Sequence, residues 1–130
     1  MIVDSSALIA ILREEPERLK FLGQIAKATA PRISAATYVE TGIVVDSTKD
    51  PTLSRKLDDV LRDGAIVIEP LTEAQARIAR EAYRDFGKGS GHPAQLNFGD
   101  CFSYALAKDK REPLLFKGED FSKTDVGVAR

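Results

Sequence analysis

The stretch MIVDSSALIAIL, residues 1–12, sets end to end a short apolar run, a carboxylate, two serines and a segment that is apolar almost all round. Met1–Val3 reads as a buried strand that stops at Asp4. Ala7–Leu12 reads as a helix with no polar face, and such a helix belongs in an interior. Ser5 or Ser6 is available to cap it. A short buried strand leading at once into a buried helix opens a layered α/β fold. In open parallel sheets ligands gather beyond the carboxyl ends of the strands, and Asp4 falls there. Helix capping explains the same aspartate without any chemistry; both readings stand.

Outward from this stretch the pattern repeats. Pro16 opens a second helix to about Ala28, with Leu19, Leu22, Ile25 and Ala26 at helical spacing, and Pro31 stops it. Arg32–Ser34 is a short strand. Helices follow over Ala35–Ser47 and Pro51–Asp63, the second with Leu53, Leu57, Val60 and Leu61 inward and Gly64 at its end. Ala65–Ile68 is a strand, and Thr72 caps a helix reaching Phe86 with Ala74, Ile78, Ala82 and Phe86 on one side. GKGSGHPA, residues 87–94, is the flexible loop, and Asn97 begins a last long helix to about Lys110. Pro113–Phe116 is a strand and Val126–Val128 a candidate edge strand. Strands separated by helices predict a three-layer α/β/α sandwich on a mostly parallel sheet. One domain over residues 1–130 is expected.

Composition bounds the function. With 130 residues, 43% hydrophobic and 30% charged, the chain can bury a core without a disulfide or metal staple. One cysteine excludes a disulfide scaffold. No apolar run approaches the ~20 residues of a membrane span, and no basic region precedes the first apolar stretch, so a cytoplasmic protein is expected. A net charge of −1 argues against coating nucleic acid through bulk charge.

The acids carry the chemistry. Glu40 lies on a helical track with Ala36, Ile43 and Ser47, beside Val39, which puts a carboxylate on or next to a buried stripe. Such a group needs a cation, a base or a raised pKa, unless it reaches water at a rim. Asp100 stands three residues after Asn97, where reciprocal capping accounts for it equally well. Asp120 and Asp125 follow the last strand and its Lys117–Gly118 turn, where an aspartate is commonly a turn residue. Together, however, Asp4, Glu40, Asp100 and Asp120 can meet at one edge of a parallel sheet. Clustered carboxylates repel unless protons or a cation hold them. An oxygen-only set selects hard ions such as Mg²⁺ or Mn²⁺, whose natural chemistry is phosphodiester hydrolysis.

In this order and at these intervals, MIVDSSALIAIL, SAATYVET around Glu40, GKGSGHPAQLNFGDCFSYALAK around Asp100 and PLLFKGEDFSKTDV at the end resemble the PIN-domain ribonucleases, among them the VapC-type toxins of toxin–antitoxin pairs. The resemblance implies that Asp4, Glu40, Asp100 and Asp120 form the acidic quartet. Asp4 and Asp100 would be the most direct metal ligands, Asp125 a variable fifth acid and Ser6 a supporting hydroxyl. It further implies a Mg²⁺- or Mn²⁺-dependent endoribonuclease acting on transfer or ribosomal RNA, a homodimer, and a VapB-type antitoxin whose peptide arm covers the acidic groove.

Other residues weigh less. His92 has no second histidine or cysteine for a zinc site, and Cys101 lacks a histidine partner and reads as a small buried thiol. Arg77, Arg80, Arg84 and Lys88 recur at helical spacing, as a solvated face or as a phosphate track toward the site. Two alternatives compete with the nuclease. A phosphoaspartate protein would also put an aspartate after its first strand, but the small phosphatases need a second one at the position of Ser6, and receivers need a lysine after a late strand. A non-catalytic RNA- or antitoxin-binding module would commonly have lost one of the acids.

Overall fold

Side chains alternate across a strand, and here the alternation builds the core. The computed structural model describes all 130 residues, Met1–Arg130. In β1 (Ile2–Val3), Ile2 joins one apolar cluster and Val3 the other; in β4 (Leu114–Leu115), Leu114 and Leu115 divide the same way. Between them in the chain come α1 (Ser5–Leu12), α2 (Arg18–Lys27), β2 (Arg32–Ser34), α3 (Ala35–Asp46), α4 (Pro51–Asp63), β3 (Val67–Glu69), α5 (Glu73–Phe86) and α6 (Phe98–Lys110), and a 3-10 turn, Phe121–Lys123, follows β4. The four strands are all parallel, in the order β3-β2-β1-β4. Helices α5 and α6 cover one face; α1, α2 and α4 pack on the other around Leu8, Phe21, Ile25, Ile33 and Leu57. This is the predicted α/β/α sandwich.

Several boundaries differ from expectation. Asp4, not a serine, caps α1, its side chain accepting from the Ser6 amide. The second helix starts at Arg18 instead of Pro16. Gly64 ends α4 without taking a left-handed conformation; Ala65 takes it instead, at φ 51°, and β3 begins two residues later than expected. Gly64 is there for space, since a Cβ on it would lie 2.9 Å from both Ile25 Cγ2 and the Val60 carbonyl oxygen. In place of an edge strand over 126–128 there is one parallel bridge between Val128 and Leu114. On α3 the buried stripe is Thr37, Thr41 and Val45, with Ile43 64% exposed, so Glu40 flanks the stripe.

Candidate acidic active site

Three of the four acids are delivered by element ends, and Glu40 by the second turn of α3. Asp4 follows the central strand β1, is 1% exposed, and keeps its amide bonded to the Leu115 carbonyl of β4. Its Oδ2 accepts from the Ser6 amide at 3.0 Å and its Oδ1 from the Ser103 hydroxyl at 2.5 Å. Asp100 is the third residue of α6 and completes a capping box: its amide donates to Asn97 Oδ1 at 2.8 Å, and its Oδ2 accepts from the Asn97 amide at 3.0 Å. Capping and membership of the cluster thus coexist in Asp4 and in Asp100. Glu40 is half-buried on α3, with the Ser5 side chain nearby. Asp120 is exposed, at the head of the 3-10 turn.

Electrostatics bring the four together. Burial, followed by the charges of Asp4, Asp120 and Glu40, pushes the Asp100 carboxyl up to about 6 against the bond from Asn97. Burial and then the Asp4 charge raise Glu40 also, opposed by the nearby Ser5 side chain. Gly99 makes room for this: a Cβ there would collide with the Glu40 carboxylate, lying 2.5 Å from its Cδ and 2.8 Å from Oε1. The carboxylate of α3 therefore rests on the first turn of α6, in a hollow that any side chain at position 99 would fill.

These residues fit a hard divalent cation by donor type, by mutual repulsion and by that hollow. As they stand, no three Asp, Glu, His or Cys side chains converge on a common point that could hold an ion.

Asp125 lies apart from the four. It accepts from the Tyr104 hydroxyl at 2.5 Å and from Lys108 Nζ at 3.0 Å, and these partners hold its carboxyl below the usual range. Ser6, beyond its amide bond to Asp4, accepts through Oγ from the Lys117 amide at 3.0 Å, which ties the start of α1 to the segment leading to Asp120. Lys117 follows the last strand, as a phosphoaspartate site requires, but its ammonium goes to Glu15 and Glu17, at 2.5 and 3.3 Å. Arg77, Arg80 and Arg84 share a shallow cleft on α5 with Glu81. Arg77 reaches Glu73 at 3.6 Å and Arg84 reaches Asp85 at 3.0 Å, while Arg80 has no acidic partner. Lys88 is exposed in the loop beyond, its amide on the Leu96 carbonyl.

His92 is occupied locally, Nδ1 accepting from the Ala94 amide and the ring standing edge-on to Phe86. Burial and the Asp100 charge push the Cys101 thiol up to about 11, so it stays protonated and is no nucleophile. Four participants escaped the sequence reading: Ser5, Thr37, Gly99 and Ser103. The available signal was a serine inside the apolar run of α6 and a glycine immediately before Asp100.

The PIN domain family model matches residues 1–127. The chain is 60% identical over 126 residues to ribonuclease VapC28 of Mycobacterium tuberculosis, covering 97% of this chain and 95% of the relative. It is 47% identical over 128 residues to the ribonuclease VapC of Mycolicibacterium smegmatis, covering 98% of each. Among solved structures, the crystal structure of Mycobacterium tuberculosis VapC20, a sarcin–ricin loop cleaving toxin, superposes with a TM-score of 0.74 at 17% identity over 99% of this chain and 98% of that one. A toxin–antitoxin complex from Klebsiella pneumoniae gives 0.73 at 17% identity, over 98% and 94%. With a family match along nearly its whole length and relatives of this identity, the chain belongs to the PIN domain family, among its VapC ribonucleases.

Proposed function

We propose that the chain is the toxin endoribonuclease of a toxin–antitoxin pair and hydrolyses RNA phosphodiester bonds at the acidic cluster. The observation that carries the reading is the coupling of carboxylates from four separate segments at one sheet edge, with Asp4, Asp120 and Glu40 each making Asp100 harder to ionise. Asp4 and Asp100 would hold a Mg²⁺ or Mn²⁺ ion, and Glu40 and Asp120 would complete or orient its surroundings. Such an ion, when bound, supplies a water of lowered pKa and neutralises charge on the phosphate. Glu40 and Asp120 orient the attacking water by accepting its hydrogen bonds. Water adds to phosphorus and the bond to the 3′-oxygen breaks, leaving a 5′-phosphate and a 3′-hydroxyl, with no part for the 2′-hydroxyl as nucleophile.

The substrate is a structured transfer or ribosomal RNA. Arg80, with Arg77, Arg84 and Lys88 along the same helix and its loop, contacts phosphates. Antiparallel packing of α5 and α6, from Gln75 on Asp109 to Phe86 on Tyr104, aims the end of α5 at the Asp100 end of α6. Partners are a VapB-type antitoxin, whose basic groups would complement the acidic groove, and a second copy of the chain. Val39 and Ile43 on α3 are 55% and 64% exposed, an apolar face suited to that copy. No helix is long and apolar enough to cross a membrane, and the protein acts in the cytoplasm as one domain over residues 1–130.

The test is cleavage of a total small-RNA pool by purified protein freed of antitoxin, with Mg²⁺, with Mn²⁺ and with chelator, beside Asp100→Asn. Discrete products ending in 5′-phosphate, lost with chelator and in the variant, are expected. Cleavage that persists in chelator or in Asp100→Asn would overturn the metal-nuclease reading.

A further inference from the structure

Asp4 is the most buried of the four acids, and its environment contains a feature that neither capping nor packing requires. Its Oδ1 meets Ser103 Oγ at 2.5 Å, and Ser103 Oγ meets Thr37 Oγ1 at 3.2 Å. Both hydroxyls are completely inaccessible to solvent. The three groups come from the end of β1, from α6 and from α3, so the chain of contacts crosses the interior beneath the acidic cluster.

Its direction follows from hydrogen counting. A carboxylate only accepts, so Ser103 spends its single hydroxyl proton on Asp4. Ser103 can then meet Thr37 only as acceptor, and Thr37 must donate. Thr37 is itself seated by α3, where the Thr41 hydroxyl donates to the Thr37 carbonyl at 2.8 Å. Each hydroxyl in the series is polarised by the next, and bonds in such a buried series strengthen one another. Ser103 sits among the buried Cys101, Ala105, Leu106 and Ala107 of α6, where a hydroxyl without a partner would be costly.

We infer that Ser103, backed by Thr37, is a positioning residue pair for Asp4. The two hydroxyls, with the Ser6 amide on the other oxygen, fix the plane of its carboxylate at the acidic cluster. This rests on the reading of Asp4 as a metal ligand. Partners that orient a ligand in this way typically contribute ten- to a hundredfold to metal affinity.

The test measures Mn²⁺ binding by titration calorimetry on the full chain, together with its unfolding midpoint and the Mn²⁺ dependence of RNA cleavage. Ser103→Ala is expected to weaken Mn²⁺ binding by about ten- to a hundredfold, with KM for RNA unchanged and kcat recovering as Mn²⁺ is raised. Thr37→Val, which keeps the shape and removes the hydroxyl, should shift affinity the same way by less, and Thr37→Ser should restore it. Should Ser103→Ala not fold, Ser103→Cys substitutes a side chain of similar size that donates weakly. Wild-type Mn²⁺ affinity in folded Ser103→Ala or Ser103→Cys, with affinity lost in Asp4→Asn, would overturn the positioning role and leave the metal site standing. Wild-type affinity in Asp4→Asn would remove Asp4 as a ligand, and the relay with it.

Discussion

Gly99→Ala separates helix stability from site geometry. A methyl at position 99 would lie 2.5 Å from Glu40 Cδ, against an ordinary carbon–carbon contact of about 3.5 Å, so the carboxylate must retreat by about 1 Å or more. It can do so, because it is the far end of a flexible side chain, and what it gives up is the favourable influence of the nearby Ser5 side chain, at most about 1 kcal/mol. Against that, replacing glycine by alanine in a helix gains up to about 1 kcal/mol. Stability should therefore change by less than about 1 kcal/mol. Activity should not survive as well, since a displacement of about 1 Å in a catalytic group can cost on the order of a hundredfold. Urea unfolding and single-turnover RNA cleavage measure the two effects. Because the substitution acts through Glu40 alone, Gly99→Ala combined with Glu40→Gln should be no slower than Glu40→Gln by itself. Cleavage within about twofold of wild type in a folded Gly99→Ala would refute the reasoning, for Glu40 would then not be working from its seat on α6.

Asp100, pushed up to about 6 by burial and then by Asp4, Asp120 and Glu40, reverses the usual aspartate linkage. The unfolded chain gives up this proton first, so the metal-free protein loses stability as pH rises from about 4 to about 6 and levels off above. Asp100→Asn should lack that fall and be more stable near pH 7 by about 1 kcal/mol after solvent screening, as urea midpoints across pH would show. Tyr104→Phe removes the hydroxyl that holds Asp125 low and should cost about 1 kcal/mol without changing cleavage. That deficit is fully present above the ordinary carboxylate range, near pH 4, and disappears as pH falls through the depressed Asp125 value. Arg80→Glu should slow cleavage and flatten the dependence of RNA binding on salt by about one to two phosphate contacts, read from log–log plots.

Asp4, Asp100 and Asp120 stood out in the sequence because each sits at a punctuation mark, after a strand or in the first turn of a helix, and Glu40 because it falls beside an apolar stripe in the second turn of α3. The sheet and its helices were legible for the same reason. What escaped is long-range or disguised. The buried stripe of α3 is carried by Thr37 and Thr41, whose hydroxyls are satisfied inside the fold. A hydropathy pattern scores threonine as surface and so favoured the track through Ile43. Ser103 and Asp4 are 99 residues apart, and no local period relates them. Gly99 looks like a weak helix residue until Glu40 is placed against it. The shifted start of β3 goes with Ala65, and not Gly64, turning left-handed, which no local pattern at Gly64 announces.

The parallel sheet also times the molecule's own synthesis. The central strand β1 is first in the chain, yet one of its two neighbours is β4, whose Leu114 and Leu115 pair with Ile2 and Val3. Such distant pairing is slow to form and cannot begin until the late residues exist. During translation the amino-terminal strand waits with one flank bare while α1 to α6 emerge, and the last acid of the quartet appears only at residue 120. A chain released early lacks both the closing strand and Asp120. The acidic quartet proposed as the catalytic centre is therefore complete only once residue 120 has been made, and a product that stops before it is expected to be inert.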